Sequence, residues 1–280
     1  VAAPRDSPII KGASLTTGNF PYAEVFAAVQ QQVIDMGSKQ LPREQVEEKL
    51  DTFRFAAERL FSDDDYYWVL VYVSFYSGFR AATVTSRLEV IRLHFPSWQV
   101  VAEYSDADIA RVLLDSDMIA HEGKVRGCVK NAQTMRELVG HYGSFQMFLN
   151  HHLPDDSFEK LLLLKEVLET KFAYLGGVTV YHFMTDIGLN VLKPDRVICR
   201  LFERLGLLED PKQLLKAIME GRKFAAATNL PIRYIDRVLV AYGQQKSPEL
   251  GIEAGVCLDQ PRCDECGIRT HCHHVRTQHR

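Results

Sequence analysis

Four of the six cysteines in this chain of 280 residues fall between Cys257 and Cys272. Cys257, Cys263, Cys266 and Cys272 are spaced C-x5-C-x2-C-x5-C. Thiolates at that density can close around one metal centre without help from the rest of the fold. Cysteine-only ligation suits structural zinc or a four-iron, four-sulfur cluster. No secretory segment is legible, so a cofactor site is expected rather than a pair of disulfides. Spacing alone does not choose the metal. Zinc ribbons carry two C-x2-C knuckles and this loop has one, which leans toward iron and sulfide. His271, His273, His274 and His279 enrich the tail, but four cysteines suffice as ligands. Cys128 and Cys199 stand on apolar helix faces and read as buried core thiols.

A second constellation joins a glycine pair to an acid. Gly176 and Gly177 lie between two helical stretches, where they permit a tight hairpin and a close backbone approach. Amides at the start of the helix that follows could hold a phosphate; a plain helical corner without ligand is the equal alternative. Asp195 follows Pro194 at another helix start, where the helix dipole favours its ionised form.

The elements that must position these groups are helical nearly throughout. Apolar residues recur at helical spacing over 22–36, with Gly37 as the stop. Pro42 opens a charged helix to Phe61, with Leu50, Phe53, Ala57 and Leu60 on one face. Asp63 to Asp65 precede a helix from Tyr66. Ser105 and Asp106 cap another. Further helices are predicted over 122–139, ended by Gly140, and over 158–172, 195–205, 214–224 and 232–242. Ten to twelve helices with short connections make an all-α, bilobal bundle. The expected lobes are 66–190, with the hairpin, and 19–65 plus 191–280, with the cysteine loop; residues 1–18 read as a flexible arm. Composition is that of an ordinary globular protein, 46% hydrophobic and 25% charged, with a formal net charge of -3. That charge gives no global signal for nucleic acid, so any such contact rests on local patches. No apolar run reaches membrane-spanning length. The expectation is a cytoplasmic, nucleoid-associated monomer without membrane contact.

The order of glycine hairpin, helix, Pro-Asp, helix and four-cysteine loop resembles the helix-hairpin-helix DNA glycosylase superfamily, over roughly residues 65 to 275. Its iron-sulfur members include endonuclease III. Leu175-Gly176-Gly177-Val178-Thr179 keeps the leucine, central glycine and valine of that superfamily's hairpin and lacks its proline and last glycine. Asp195 takes the place of the catalytic aspartate. Tyr181 stands where bifunctional members carry a nucleophilic lysine, and Lys193 is offset from that position. The family loop reads C-x6-C-x2-C-x5-C, one residue longer in its first gap. A second resemblance is to 3-methyladenine DNA glycosylase I. It rests on Asp117 to Ala132, with His121, Gly123, Lys124 and Arg126, on Ser77-Gly78-Phe79-Arg80, and on Tyr181-His182-Phe183-Met184. That family has a glutamate where Ser77 stands and a tryptophan where Thr85 stands.

These resemblances imply a base-excision-repair enzyme acting on double-stranded DNA with a damaged base. The base would be flipped into a pocket and its N-glycosidic bond hydrolysed, with Asp195 stabilising the cationic sugar. An alkylated purine such as 3-methyladenine is the expected substrate. Tyr66 and Trp68 are candidate pocket walls, with Ser77 and Tyr181 beside them and Arg80 as wedge. Lys124, Arg126, His121, Gly176, Gly177 and Arg262 are candidate DNA contacts. The cysteines imply a 4Fe-4S cluster, with zinc as the alternative. A glycosylase with lyase activity and a non-catalytic iron-sulfur lesion binder remain open.

Overall fold

A computed structural model describes residues 20–54 and 59–278. The predicted arm lies outside the described residues, as do Ala57 and His279. Fifteen α-helices and three short 3-10 turns make up the regular structure among the described residues. An isolated bridge between Ser247 and Ile252 is the sole extended pairing among them. The chain is all-α.

Buried side chains gather in two clusters. One is built on α3 (Asp63–Tyr76) and α8 (Glu122–Tyr142), flanked by α4 (Ala81–Thr85), α5 (Leu88–His94), α6 (Trp98–Ala102), α7 (Asp106–Leu114), α9 (Phe145–His152), α10 (Phe158–Lys171) and α11 (Val178–Asp186). α3 is apolar around much of its circumference, with Tyr67, Leu70, Val71, Val73 and Phe75 buried, so it takes the centre. Ser62 starts it with a capping box: its hydroxyl accepts from the Asp65 amide while the Asp65 carboxylate accepts from the Ser62 amide. Ser105 and Asp108 repeat that arrangement at α7.

The second cluster joins α1 (Tyr22–Gly37) and α2 (Arg43–Arg54) to α12 (Arg196–Leu205), α13 (Leu214–Thr228) and α14 (Ile232–Gly243), with the cysteine loop and α15 (His273–Gln278) behind them. α12 begins at the Asp195 cap and stops at Gly206, whose φ of +80° is left-handed.

Two expectations fail locally. α8 passes Gly140 and ends two residues later at Tyr142, capped by Gly143 with φ +90°. Gly140 sits on the exposed side of the helix, where one glycine weakens it without ending it. Leu60 is 95% exposed rather than on a buried face. It belongs to the non-helical approach to the Ser62 cap, which requires extended backbone.

Candidate active site and cysteine loop

Asp195 caps α12 from an extended backbone, and its Oδ1 accepts from the amides of Val197 and Ile198 at 2.9 and 3.1 Å. Its Oδ2 lies 3.4 Å from Lys193 Nζ. The Asp195 amide donates back to the Lys193 carbonyl at 2.8 Å, closing a tight turn around Pro194. One carboxylate oxygen is thus engaged at the helix start and the other faces a cation, and the residue lines a groove. That groove, of about 650 Å³, is lined by Val178 at the start of α11, by Asp195 and Arg196, and by Lys212, Gln245 and Asp259.

Behind Asp195 runs a buried polar chain along the seam between the two clusters. The Lys193 amide donates to Asp236 Oδ1 at 3.2 Å, and Asp236 Oδ2 meets Arg233 Nη1 at 3.1 Å. Arg233 Nη2 reaches Asp186 Oδ1 at 2.9 Å. Asp186 Oδ2 accepts from the Tyr72 hydroxyl at 2.9 Å and stands 3.3 Å from His182 Nε2. Burial works against the Asp186 carboxylate, yet Arg233, then His182 and Tyr72, hold it well below the usual carboxylate range. Asp236 moves the other way. Burial pushes it up, and Arg233 and Lys193 counter only part of that.

Gly177 opens α11 with φ +59°, and a Cβ added at Gly176 or Gly177 would meet no atom within 4 Å. The hairpin backbone is therefore open to close approach. Its Gly177 amide donates to Glu169 Oε1 at 3.1 Å, and Glu169 is itself paired with Lys165 at 2.6 Å. A phosphate at that amide would have to displace a carboxylate. Tyr181, only 7% exposed, tucks beneath Lys165 with the ammonium 6.0 Å from its ring centre.

Several expected DNA contacts have other work. Lys124 is 3% exposed, and its Nζ donates to the carbonyls of Ser74 and Ser77, each at 2.6 Å. The last carbonyls of α3 lack helical partners, and this ammonium supplies them, stacked over the Tyr174 ring at 4.5 Å. Lys124 is thus no surface phosphate contact. Burial pushes its ammonium below the ordinary lysine value. Gly123 and Gly127 make room for the arrangement, since a Cβ on either would come within 2.7 Å of Tyr174. His121 caps α8 by accepting from the Lys124 amide at 3.2 Å. Arg126 is paired with Asp106 at 2.7 Å and Glu122 at 2.8 Å. Arg262 donates to the carbonyls of Ala254 at 2.8 Å and Gly255 at 2.7 Å and pairs with Glu265 at 3.2 Å. It braces its own loop instead of facing outward as a free cation.

The pocket candidates divide. Tyr66 is 2% exposed, stacks on Phe61, packs against the tilted Phe145 ring, and hydrogen-bonds Gln146, so it is core and no base-pocket wall. Ser77 ends α3 and offers its carbonyl to Lys124. Arg80 is exposed at the start of α4 and has no ion pair among the described residues. Trp68 is half-buried and heads a row that the sequence reading did not assemble: Trp68, Tyr72 and Tyr76 recur every fourth residue on α3, with neighbouring ring centres 5.6 and 6.2 Å apart. His182 of α11 faces this row, 5.8 Å from the Tyr76 ring. The i, i+4 spacing of the three aromatics was the available signal. Their pairing with His182, Asp186 and Arg233 is long-range and left no trace in the sequence.

The four loop cysteines are free thiols. Among the described residues, no three His, Cys, Asp or Glu side chains close into a group that could hold a metal ion. The thiols nevertheless share one neighbourhood. Burial first, then Cys266, Cys257 and Cys272, push the Tyr242 hydroxyl well above its ordinary value; burial likewise raises the Cys266 thiol, against the Tyr242 hydrogen bond and with Cys272 and Cys263 adding to the rise. Tyr242 Oη lies 3.1 Å from Cys266 Sγ, and Arg204 Nη1 donates toward Cys257 Sγ at 3.3 Å. The loop's acids are occupied elsewhere: Asp259 by Arg200, Asp264 by Arg269 and Glu265 by Arg262. His271 pairs with Glu24, and His273 packs over Gly206.

A model of the methyladenine glycosylase family matches residues 57–196, half of the chain. The chain belongs to the methyladenine glycosylase family. Membership makes it a DNA glycosylase, with DNA as its substrate. Among solved structures, this glycosylase is similar to a 3-methyladenine DNA glycosylase I from Staphylococcus aureus, at 23% identity and a TM-score of 0.42, over 46% of this chain and 78% of that one. A second 3-methyladenine DNA glycosylase I gives 20% identity and a TM-score of 0.41, over 46% and 80%. No curated protein matches the chain. Among the described residues, no helix is long and apolar enough to cross a membrane.

Proposed function

We propose that this glycosylase is monofunctional and hydrolyses the N-glycosidic bond of an alkylated purine such as 3-methyladenine, with Asp195 as the catalytic carboxylate. The observation that carries the reading is the posture of Asp195. One oxygen is fixed by two helix amides, the other stands beside Lys193, and the residue lines a groove that Val178, at the start of α11, lines as well. The hairpin of α10 and α11 would bring the strand to that groove as a helix-hairpin-helix element. Cleavage builds positive charge on the deoxyribose. The Asp195 carboxylate would stabilise that charge and take a proton from the attacking water. An alkylated purine already carries positive charge and leaves with little acid assistance. The α3 aromatic row supports stacking and cation–π recognition of such a base.

The cysteine loop would hold a four-iron, four-sulfur cluster on Cys257, Cys263, Cys266 and Cys272, with zinc as the alternative. The residues present suit it: four thiols in one neighbourhood, a guanidinium donor on Cys257, a hydroxyl within hydrogen-bond distance of Cys266, and competing carboxylates engaged by arginines. Such a centre would supply cross-linking to a segment too short for a core of its own. Arg200 and Arg204 of α12 already donate to the carbonyls of Cys257 and Asp259, at 3.1 and 2.9 Å, which ties the loop to the helix that Asp195 starts.

Duplexes carrying one lesion each, scored for abasic sites, test the reading. Asp195→Asn should retain binding and lose roughly a hundredfold or more in rate. Full activity in that variant removes the aspartate from the mechanism. A lyase is favoured by one observation, the Lys193 amine beside Asp195. A covalent adduct trapped by borohydride would establish it.

A further inference from the structure

We propose that His182 is the proton donor to the departing base, and that it extends excision to uncharged damaged bases. The inference rests on the reading of Asp195 as the glycosylase carboxylate and adds a second, opposite role from the helix that borders the same groove.

His182 lies one turn beyond Val178 on the same face of α11, and Val178 lines the groove that holds Asp195. Its ring is half-buried beside the partly exposed Tyr76, whose hydroxyl is 2.9 Å from that of the exposed Thr85. The histidine therefore stands at the open end of the seam, where a flipped base stacked on the α3 aromatics would arrive. Its Nε2 is turned inward to Asp186 at 3.3 Å, which leaves Nδ1 for the base. The groups facing the imidazole are Asp186 on its own helix, Tyr72 and Tyr76 from α3, and Arg233 of α14 behind Asp186. Asp186 is its nearest charge. A buried carboxylate at one histidine nitrogen orients the ring and so fixes which nitrogen can donate to a base.

The step balances as follows. The C1′–N bond breaks and its electron pair stays with the base. The Nδ1 proton passes to a ring nitrogen of the base. Water adds to C1′ and its proton goes to Asp195. Both groups then return to their starting states by exchange with solvent, and the net reaction is hydrolysis. A cationic base such as 7-methylguanine has no need of the first proton, whereas an uncharged base such as hypoxanthine does.

The test compares release of hypoxanthine and 7-methylguanine from matched duplexes by wild type and His182→Gln. The expected result is a loss on hypoxanthine that exceeds the loss on 7-methylguanine by about a hundredfold, the scale of general-acid catalysis. The 7-methylguanine rate reports the integrity of the variant in the same experiment. Equal losses on both bases overturn the proposal, as does a wild type that releases methylated bases and no uncharged one. Failure to release any base, methylated ones included, would instead overturn the assignment of the site.

Discussion

Lys124 and Arg262 do the same thing in two different places. Each is a cation turned onto backbone carbonyls: Lys124 onto Ser74 and Ser77 at the end of α3, Arg262 onto Ala254 and Gly255 in the cysteine loop. In the α3–α8 lobe the ammonium is 3% exposed and sealed by Tyr174 and Phe79. In the tail the guanidinium keeps 36% of its side-chain surface in solvent. Water can replace a lost partner in the second case and cannot in the first. One lobe is therefore closed by apolar packing around a few sealed polar contacts. The tail is pinned by many arginine contacts, each individually replaceable, and gains most from any centre its thiols hold.

The largest effect should come from the thiols. Cys266→Ser should abolish the visible absorption of an iron-sulfur centre and open residues 257–272 to protease, while the α3–α8 lobe stays folded. A colourless wild type with stoichiometric zinc would exchange the metal and leave the comparison standing; a loop equally resistant in both proteins would break it. Lys124→Met keeps the volume and strands two sealed carbonyls. Chemical denaturation should show a loss of about 3 kcal/mol. A neutral outcome would mean that the cation contributes nothing to closing that lobe.

The seam comes next. The Asp186 carboxyl is held below its ordinary range in the folded protein, so its contribution is complete above the unfolded carboxylate value and is lost as pH falls toward the folded one. Stability should decline on the acid side by up to about 1.4 kcal/mol per pH unit from this group. Asp186→Asn should flatten that decline, and parallel wild-type and variant curves would remove Asp186 as its source. The smallest effect should be that of Arg262→Ala, about 1 kcal/mol, since its carbonyl partners can turn to water. A cost equal to that of Lys124→Met would erase the distinction between the two regions.

Much of the helical order was legible. Ser105, Asp195, Gly206 and the apolar periodicity of α1 are local signals, and the chain obeys them. The failures have physical causes. Gly140 looks like a stop because glycine often is one, yet a single exposed glycine is affordable inside a long helix. Lys124 and Arg126 look like phosphate contacts because nothing local says whether a cation faces water, a carbonyl or an acid. That choice is made by residues far away in sequence, Ser74 and Ser77 for one and Asp106 for the other. The same distance hid His182, whose partners Tyr72, Tyr76 and Asp186 meet only after the helices pack. Asp195 was recoverable because its role as a cap is local.

The sealing of Lys124 also makes that amine a reporter. Acylating reagents that label exposed lysines in seconds should pass it over in the native protein, because its three hydrogens face two carbonyls and an aromatic ring. Its modification rate would then follow opening of the α3–α8 contact and nothing else. Mass spectrometry of the peptide containing Lys124 would thereby time the breathing of this lobe without any engineered probe.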